Sequence, residues 1–250
     1  MDADTFGMNS GFDAEYPFAV SAGVDLTSLR MVVEQPNLWQ LTLNGQIIKA
    51  IPGEWAIDKT FGVFDISEQV RIGENRLGIH MHPMSIYAEL EPVYLLGEFD
   101  LKPAAQGWIV IPVSDLTPGF WKDQGMPFYA YDVAYEAVVN LQVNEFVKVR
   151  LPEWTGSVAE VFVNDASAGI IGWPPYECDI SRLVKNGENH IKVVVTASLK
   201  NLLGPHHYVQ HRGIVTPWSF KYAPKQQPAG AEYDLLDYGL FKPFVIETGN

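Results

Sequence analysis

One stretch of this 250-residue chain occurs twice. Phe64–Ile79 reads FDISEQVRIGENRLGI and Cys178–Val193 reads CDISRLVKNGENHIKV. The shared pattern is D-I-S-x-x-V-x-x-G-E-N-x-[LI], and its two aspartates, Asp65 and Asp179, stand 114 positions apart. That period is one domain in length, so the chain is expected to fold as one kind of unit built twice. Each copy follows a strand-like run that ends in an asparagine turn, Leu41-Thr42-Leu43-Asn44-Gly45 in the first and Val161-Phe162-Val163-Asn164-Asp165 in the second. Each also has a tryptophan ahead of the motif, Trp55 and Trp173.

The chemistry of the motif is structural. Asp65 and Asp179 are placed to cap a single helical turn, because a carboxylate accepts hydrogen bonds from the free amides two or three residues on. Ile66 and Val70, with Ile180 and Val184, fold that turn onto a core. Gly73 and Gly187 supply the positive φ that ends it. Leu77 and Ile79, and Ile191 and Val193, then alternate inward along a strand. These residues mark a fold, and neither Asp65 nor Glu74 reads as catalytic.

Short apolar or alternating runs recur elsewhere: Leu29–Val33, Trp39–Leu43, Arg76–His80, Trp108–Val113, Val138–Val143, Val147–Leu151, Ala159–Val163, His190–Val195 and Phe241–Ile246. They are rich in Val, Ile, Phe and Tyr and are separated by Gly, Pro, Asn and Asp, which predicts an all-β chain. The first domain is expected over 14–118 and the second over 119–250, with 224–230 an exposed loop. Hydrophobic residues make up 47%, enough for a real core. The net charge of −13 disfavours nucleic acid and anionic membrane as partners and leaves neutral sugars open. No apolar run is long enough for a membrane span. Cys178 is the one cysteine, which excludes an internal disulfide and fits a small buried thiol. No signal peptide is visible, and the opening MDADTFGMNSGFDAEY reads as a cut in a longer chain or, alternatively, as a native terminus.

The repeat resembles the galactose-binding-like jelly roll found in the sugar-binding domains of family-2-type glycoside hydrolases. A further set of segments is similar to the accessory sandwiches of large bacterial glycoside hydrolases, including α-L-rhamnosidase-like enzymes: Pro152–Trp154, Trp173–Glu177, Ser198–His207, Leu90–Phe99 and Gly125–Tyr129. The resemblance implies two tandem antiparallel jelly-roll β-sandwiches. It implies a role in polysaccharide breakdown, extracellular or periplasmic, with the catalytic glycoside hydrolase domain on another part of the parent chain. It implies no cofactor, although such jelly rolls often carry a structural calcium.

Sugars are held by aromatic faces and by side-chain hydrogen bonds. The candidate contacts are Trp173, Tyr176, Trp55, His206, His207 and Tyr208. Pro and Gly beside Trp55 and Trp173 suggest rigid loops, although both rings also suit a structural plug repeated with the fold. Trp39 and Trp154 read as core. His206 and His207 lack an obvious third ligand for zinc, with only His211 or Asp179 to offer. His80 and His82 share one strand face, which reads as solvated. No spacing selects a facing carboxylate pair among Glu89, Glu91, Glu98, Glu153, Glu177 and Asp179, and neither G-x-S-x-G nor H-E-x-x-H occurs. The expectation is a non-catalytic carbohydrate-binding module. The alternatives are scaffold domains that pack on a catalytic barrel and, at lower weight, a small glycoside hydrolase.

Overall fold

The computed structural model describes residues 4–142, 146–207, 216–221 and 224–249. The chain is all-β, with two α-helices of about one turn each and a few 3-10 turns among the described residues. It forms two compact units, Met1–Val113 and Ser114–Asn250.

The first unit holds β1 (Phe12–Val20), β2 (Arg30–Glu34), β3 (Gln40–Leu43), β4 (Gln46–Ile47), β5 (Ala50–Ala56), β6 (Asp58–Asp65), β7 (Gly73–Met81), β8 (Tyr94–Leu96), β9 (Asp100–Pro103) and β10 (Trp108–Ile111). They make a six-stranded sheet in the order β4-β3-β7-β1-β10-β9 and a four-stranded sheet in the order β5-β6-β2-β8. Alternating residues of both sheets supply the core: Leu41, Leu43, Leu77, Ile79 and Val110 from one, Met31, Val33 and Phe64 from the other. An all-antiparallel arrangement was expected, yet β1 and β10 pair in parallel at Ala19 with Ile109 and Val20 with Val110. The long excursion between these strands is what permits it, since a parallel pair cannot be joined by a hairpin.

The second unit holds β11 (Asp132–Leu141), β12 (Phe146–Arg150), β13 (Trp154–Thr155), β14 (Val158–Val163), β15 (Ala166–Ile171), β16 (Glu177–Asp179), β17 (Gly187–Thr196), β18 (Gly239–Leu240) and β19 (Val245–Gly249). The sheets run β11-β17-β14-β15 and β16-β12-β19, with a separate β13-β18 pair. Val147, Val149, Ala159, Val161, Val163, Ile191, Val193 and Val195 are buried together in the core. Trp121 is its largest fully buried side chain and donates its indole N–H to the Tyr135 hydroxyl at 2.6 Å. The run 241–244, expected as strand, is not one: β19 begins only after Pro243, which lacks a ladder donor.

The repeated motif folds the same way in both units. Ser67 and Ser181 donate their backbone N–H to Asp65 and Asp179 at 3.0 and 2.9 Å, the anticipated cap. Val70 and Val184 donate back to Ile66 and Ile180, closing one turn. Gly73 and Gly187 both sit at φ +93°, a region that an L side chain rarely adopts. The following asparagines, Asn75 and Asn189, are fully buried. Asn189 Oδ1 accepts from Lys185 N–H at 2.9 Å and from Asn164 Nδ2 at 3.0 Å, while its Nδ2 donates to Lys185 O at 2.8 Å and Gly187 O at 2.9 Å. Asn75 makes the matching bonds to Arg71, Gly73 and Asn44. Asn44 and Asn164 take φ +53° and +49°, so their turns face the buried amides. A buried amide with its donors and acceptors all satisfied locks the turn to the strand before it.

Candidate functional site

After Ile171 the chain leaves β15 and turns through Gly172-Trp173-Pro174-Pro175-Tyr176 into β16. Tyr176 N–H donates to Trp173 O at 3.1 Å and closes the turn. Leu151 N–H donates to Tyr176 O at 3.0 Å and ties it to the end of β12. Two consecutive prolines fix φ across the turn, and Tyr176 itself sits at φ +60°, which is uncommon for a bulky residue. The result is a stiff corner that leaves the Trp173 ring 70% exposed. Tyr176 meets Trp154 edge to face, with ring centroids 5.6 Å apart and planes at 90°. The Trp154 indole N–H is buried without a hydrogen-bond partner.

Charged side chains adjoin this corner on the outer face of the β16-β12-β19 sheet. Lys148 pairs with Glu177 at 2.8 Å and with Glu247 at 3.2 Å, and Arg150 pairs with Glu247. The Glu177 hydrogen bond, with Glu247, raises the Lys148 pKa, and the hydrogen bonds from Arg150 and Lys148 hold the Glu247 carboxyl below its ordinary value. The corner therefore combines an exposed aromatic ring with a fixed array of charged, hydrogen-bonding groups. Such a pairing suits the apolar C–H face and the hydroxyls of a sugar ring.

The other candidates lie elsewhere. Trp55 belongs to the first unit and, contrary to the expected loop, sits in β5, where it pairs with Gly62. It is 53% exposed. A structural plug would be buried, so neither Trp55 nor Trp173 acts as one. His206 is half-buried in the second unit, packed edge-on against Phe128 at 5.2 Å and beside Tyr233 at 5.7 Å, with Nε2 on Asn201 O at 2.7 Å. Burial holds its pKa below the ordinary 6.5. Its ring is part of an aromatic cluster with Phe128 and Tyr233. His207 Nε2 is buried and has no hydrogen-bond partner among the described residues. Tyr208 and His211 lie outside the described residues. Among the described residues, no hydrogen bond or ring contact joins His206 or His207 to Trp173 or Tyr176.

His80 and His82 share a face, as expected, and both meet Asp13, His80 at 2.7 Å and His82 at 3.3 Å. Those bonds lower the Asp13 pKa. Among the described residues, no group of three or more His, Cys, Asp or Glu is arranged to hold a metal ion. The carboxylates considered for catalysis are engaged in structure where their contacts are seen: Glu153 with Lys242, Glu177 with Lys148, and Asp179 with its cap. Glu91 is the glutamate whose pKa is raised, by burial and by the nearby Glu89 and Glu34. The crevice beside these three is about 10 Å³, room for a single water. Cys178 is buried, and burial raises its thiol pKa.

Three contributors to the corner, the charges of Lys148, Arg150 and Glu247, escape the reading of the sequence, while Trp154, expected as core, does pack against it. The signal was present in Phe146-Val147-Lys148-Val149-Arg150, whose strict alternation puts both cations on one face.

No family model matches the chain, and no curated protein matches it. Among solved structures it is similar to a rhamnosidase from Novosphingobium sp. PP1Y at 15% identity and a TM-score of 0.36, covering 93% of this chain and 24% of that one. It is similar to a β-glucuronidase from Bifidobacterium dentium complexed with coumarin-3-O-glucuronide at 18% identity and a TM-score of 0.35, covering 60% of this chain and 28% of that one. It is also similar to an α-L-rhamnosidase from Streptomyces avermitilis complexed with L-rhamnose at 13% identity and a TM-score of 0.32, covering 83% and 24%. The chain thus spans about a quarter of the length of these structures.

Proposed function

We propose that the chain is a non-catalytic carbohydrate-binding region of a polysaccharide-degrading glycoside hydrolase. In this reading each unit is a galactose-binding-like jelly-roll sandwich, and the second binds glycan at the Trp173–Tyr176 corner. It would act outside the cell or in the periplasm, raising the local concentration of an attached catalytic domain on its substrate. The observation that carries the reading is Trp173: a large apolar ring held 70% exposed on a turn stiffened by two prolines. Covering such a ring with the apolar face of a ligand removes apolar surface from water and is favourable. The segment resemblance to glycoside hydrolase accessory sandwiches supports the attachment to such an enzyme.

Affinity gels cast with a panel of polysaccharides test this directly. Retardation of the wild-type chain by one glycan is expected. Losing one stacking ring in Trp173→Ala should weaken it by about threefold to tenfold, with Trp55→Ala unchanged. Retardation by none of the panel would sink the reading and leave the corner as a surface for packing against a catalytic domain.

A further inference from the structure

Glu177 follows Tyr176 directly and opens β16, the strand that leaves the Trp173 corner. In the ladder between β12 and β16 it stands opposite Arg150, while Lys148 stands opposite Asp179. Directly opposed residues leave the same face of a sheet with their Cβ atoms about 5 Å apart. That face is the outer one, because the intervening pair, Val149 and Cys178, is buried in the core. The next bond along, from Leu151 N–H to Tyr176 O at 3.0 Å, is the one that ties the aromatic corner to β12. The corner and the Arg150–Glu177 pair are therefore held in one frame.

Part of the bonding capacity on this face is unused. Glu177 pairs with Lys148 through Oε2, and Arg150 pairs with Glu247 through Nε. Among the described residues, Glu177 Oε1 and the two Nη groups of Arg150 have no partner. Both side chains are half-buried, so their heads are held in place while these atoms still meet solvent. A guanidinium only donates and a carboxylate only accepts. Two adjacent hydroxyls of a sugar ring match that pair, since each can take either role. The charges of the face also count against an acidic sugar. Lys148 and Arg150 are both committed to glutamates, and Asp179 adds a further carboxylate, on a chain of net charge −13.

We infer that Arg150 and Glu177 read a pair of vicinal hydroxyls on a neutral sugar, Arg150 donating to one and Glu177 accepting from the other, while Trp173 stacks on a C–H face of the same glycan. This assignment rests on the reading of the corner as a glycan site and adds to it the class of sugar and the two side chains that select it. Stacking alone accepts any ring with an apolar face; the donor and acceptor, fixed opposite each other, demand hydroxyls at matching positions and leave no cation over for a carboxylate or sulfate.

The test uses the full chain in affinity gels cast with galactomannan, xyloglucan and arabinan as neutral probes and with polygalacturonate and heparin as acidic ones. Each neutral probe is also cast in its O-methylated form. Retardation by at least one neutral glycan is expected, equal at low salt and at about 0.5 M salt, with none by the acidic probes. O-methylation keeps the carbon skeleton, removes the hydroxyl donors and should abolish the retardation. Arg150→Met and Glu177→Met should each weaken it about tenfold, through loss of a hydrogen bond to a charged group. Glu160→Gln, on β14 in the other sheet, where the carboxylate accepts from Ser167, should leave it unchanged. Amide exchange over β12 and β16 shows whether each variant is folded; if Arg150→Met is not, Arg150→Lys, which keeps the charge and loses the planar fork, takes its place. Stronger retardation by an acidic probe, full retardation by the methylated glycan, or wild-type binding by both variants would each overturn the inference and leave the glycan-site reading standing. Retardation by none of the gels would overturn it together with the reading it rests on.

Discussion

Replacing Asn189 by alanine should strongly destabilise the second unit. The side chain is fully buried and makes four hydrogen bonds of 2.8–3.0 Å, to Lys185 N–H, Lys185 O, Gly187 O and Asn164 Nδ2. Each such bond contributes a net of about 0.5–1.5 kcal/mol, so four amount to about 2–6 kcal/mol. Lys185 and Gly187 are exposed, so water can re-hydrate part of what is lost. Asn164 Nδ2 and the buried cavity cannot be repaired so easily, and the expected loss is about 3–4 kcal/mol. Against a typical domain stability of about 5–15 kcal/mol this is a large fraction. Urea titration read by hydrogen exchange, resolved over β14 and β17, gives the number for the second unit alone. Asn75→Ala should cost the first unit a similar amount, because Asn75 is equally buried and makes the same set of bonds. Asn140→Ala, on the exposed face of β11, is the control and should stay within about 0.5 kcal/mol. A loss below about 1 kcal/mol for Asn189→Ala would refute the idea that the buried amide locks the turn.

Further outcomes follow from the same structure. Asp65→Ala and Asp179→Ala should each cost about 1 kcal/mol as lost caps. Hydrogen bonds from Ser67 and Ser181 hold these carboxyls below the ordinary 3.8, so their contribution is present above that pH and is lost as pH falls through the lower folded value; wild type and variants should converge in acid urea titrations. His206 has its pKa lowered by burial, so stability should fall as pH drops from 6.5 through its folded value, and His206→Phe should flatten that slope between neutral and mildly acid pH. Gly187→Ala should cost about 1–2 kcal/mol from its positive φ alone, because no atom lies within 4 Å of the added Cβ. Gly172→Ala, also in open space but without a positive φ, should be neutral or slightly stabilising in the same melts.

Much of the local structure was legible because it depends on residues close in sequence. The aspartate cap, the single turn, the glycine at positive φ and the inward alternation of the next strand need only near neighbours, and a repeat states them twice. The all-β character was legible for a similar reason: Val-rich alternation with period two suits a pleated, half-buried surface. The second half of the motif was less transparent. The Gly-Glu-Asn triplet announces a turn, but nothing local reveals that its asparagine reaches the amide of Asn44 or Asn164, which lies 25 to 31 residues earlier.

Exposure was decided by the fold. Trp55 and Trp173 suit a buried plug as well as an exposed ring when read from their Pro and Gly neighbours, yet both stand in solvent. Pro-Gly and Pro-Pro neighbours predict stiffness, and stiffness does not say which way a ring points. His206 and His207 looked like the most polar-aromatic cluster, but Phe128 and Tyr233, far away in sequence, enclose the first ring. The parallel β1–β10 pair was likewise invisible in the chain order, since strand pairing is set by which apolar faces find each other across long separations. The residues alone determined an all-β chain in which one motif folds the same way twice. Only the tertiary structure decided which strands pair in parallel and which aromatic rings remain outside, because burial is a property of what packs against a residue.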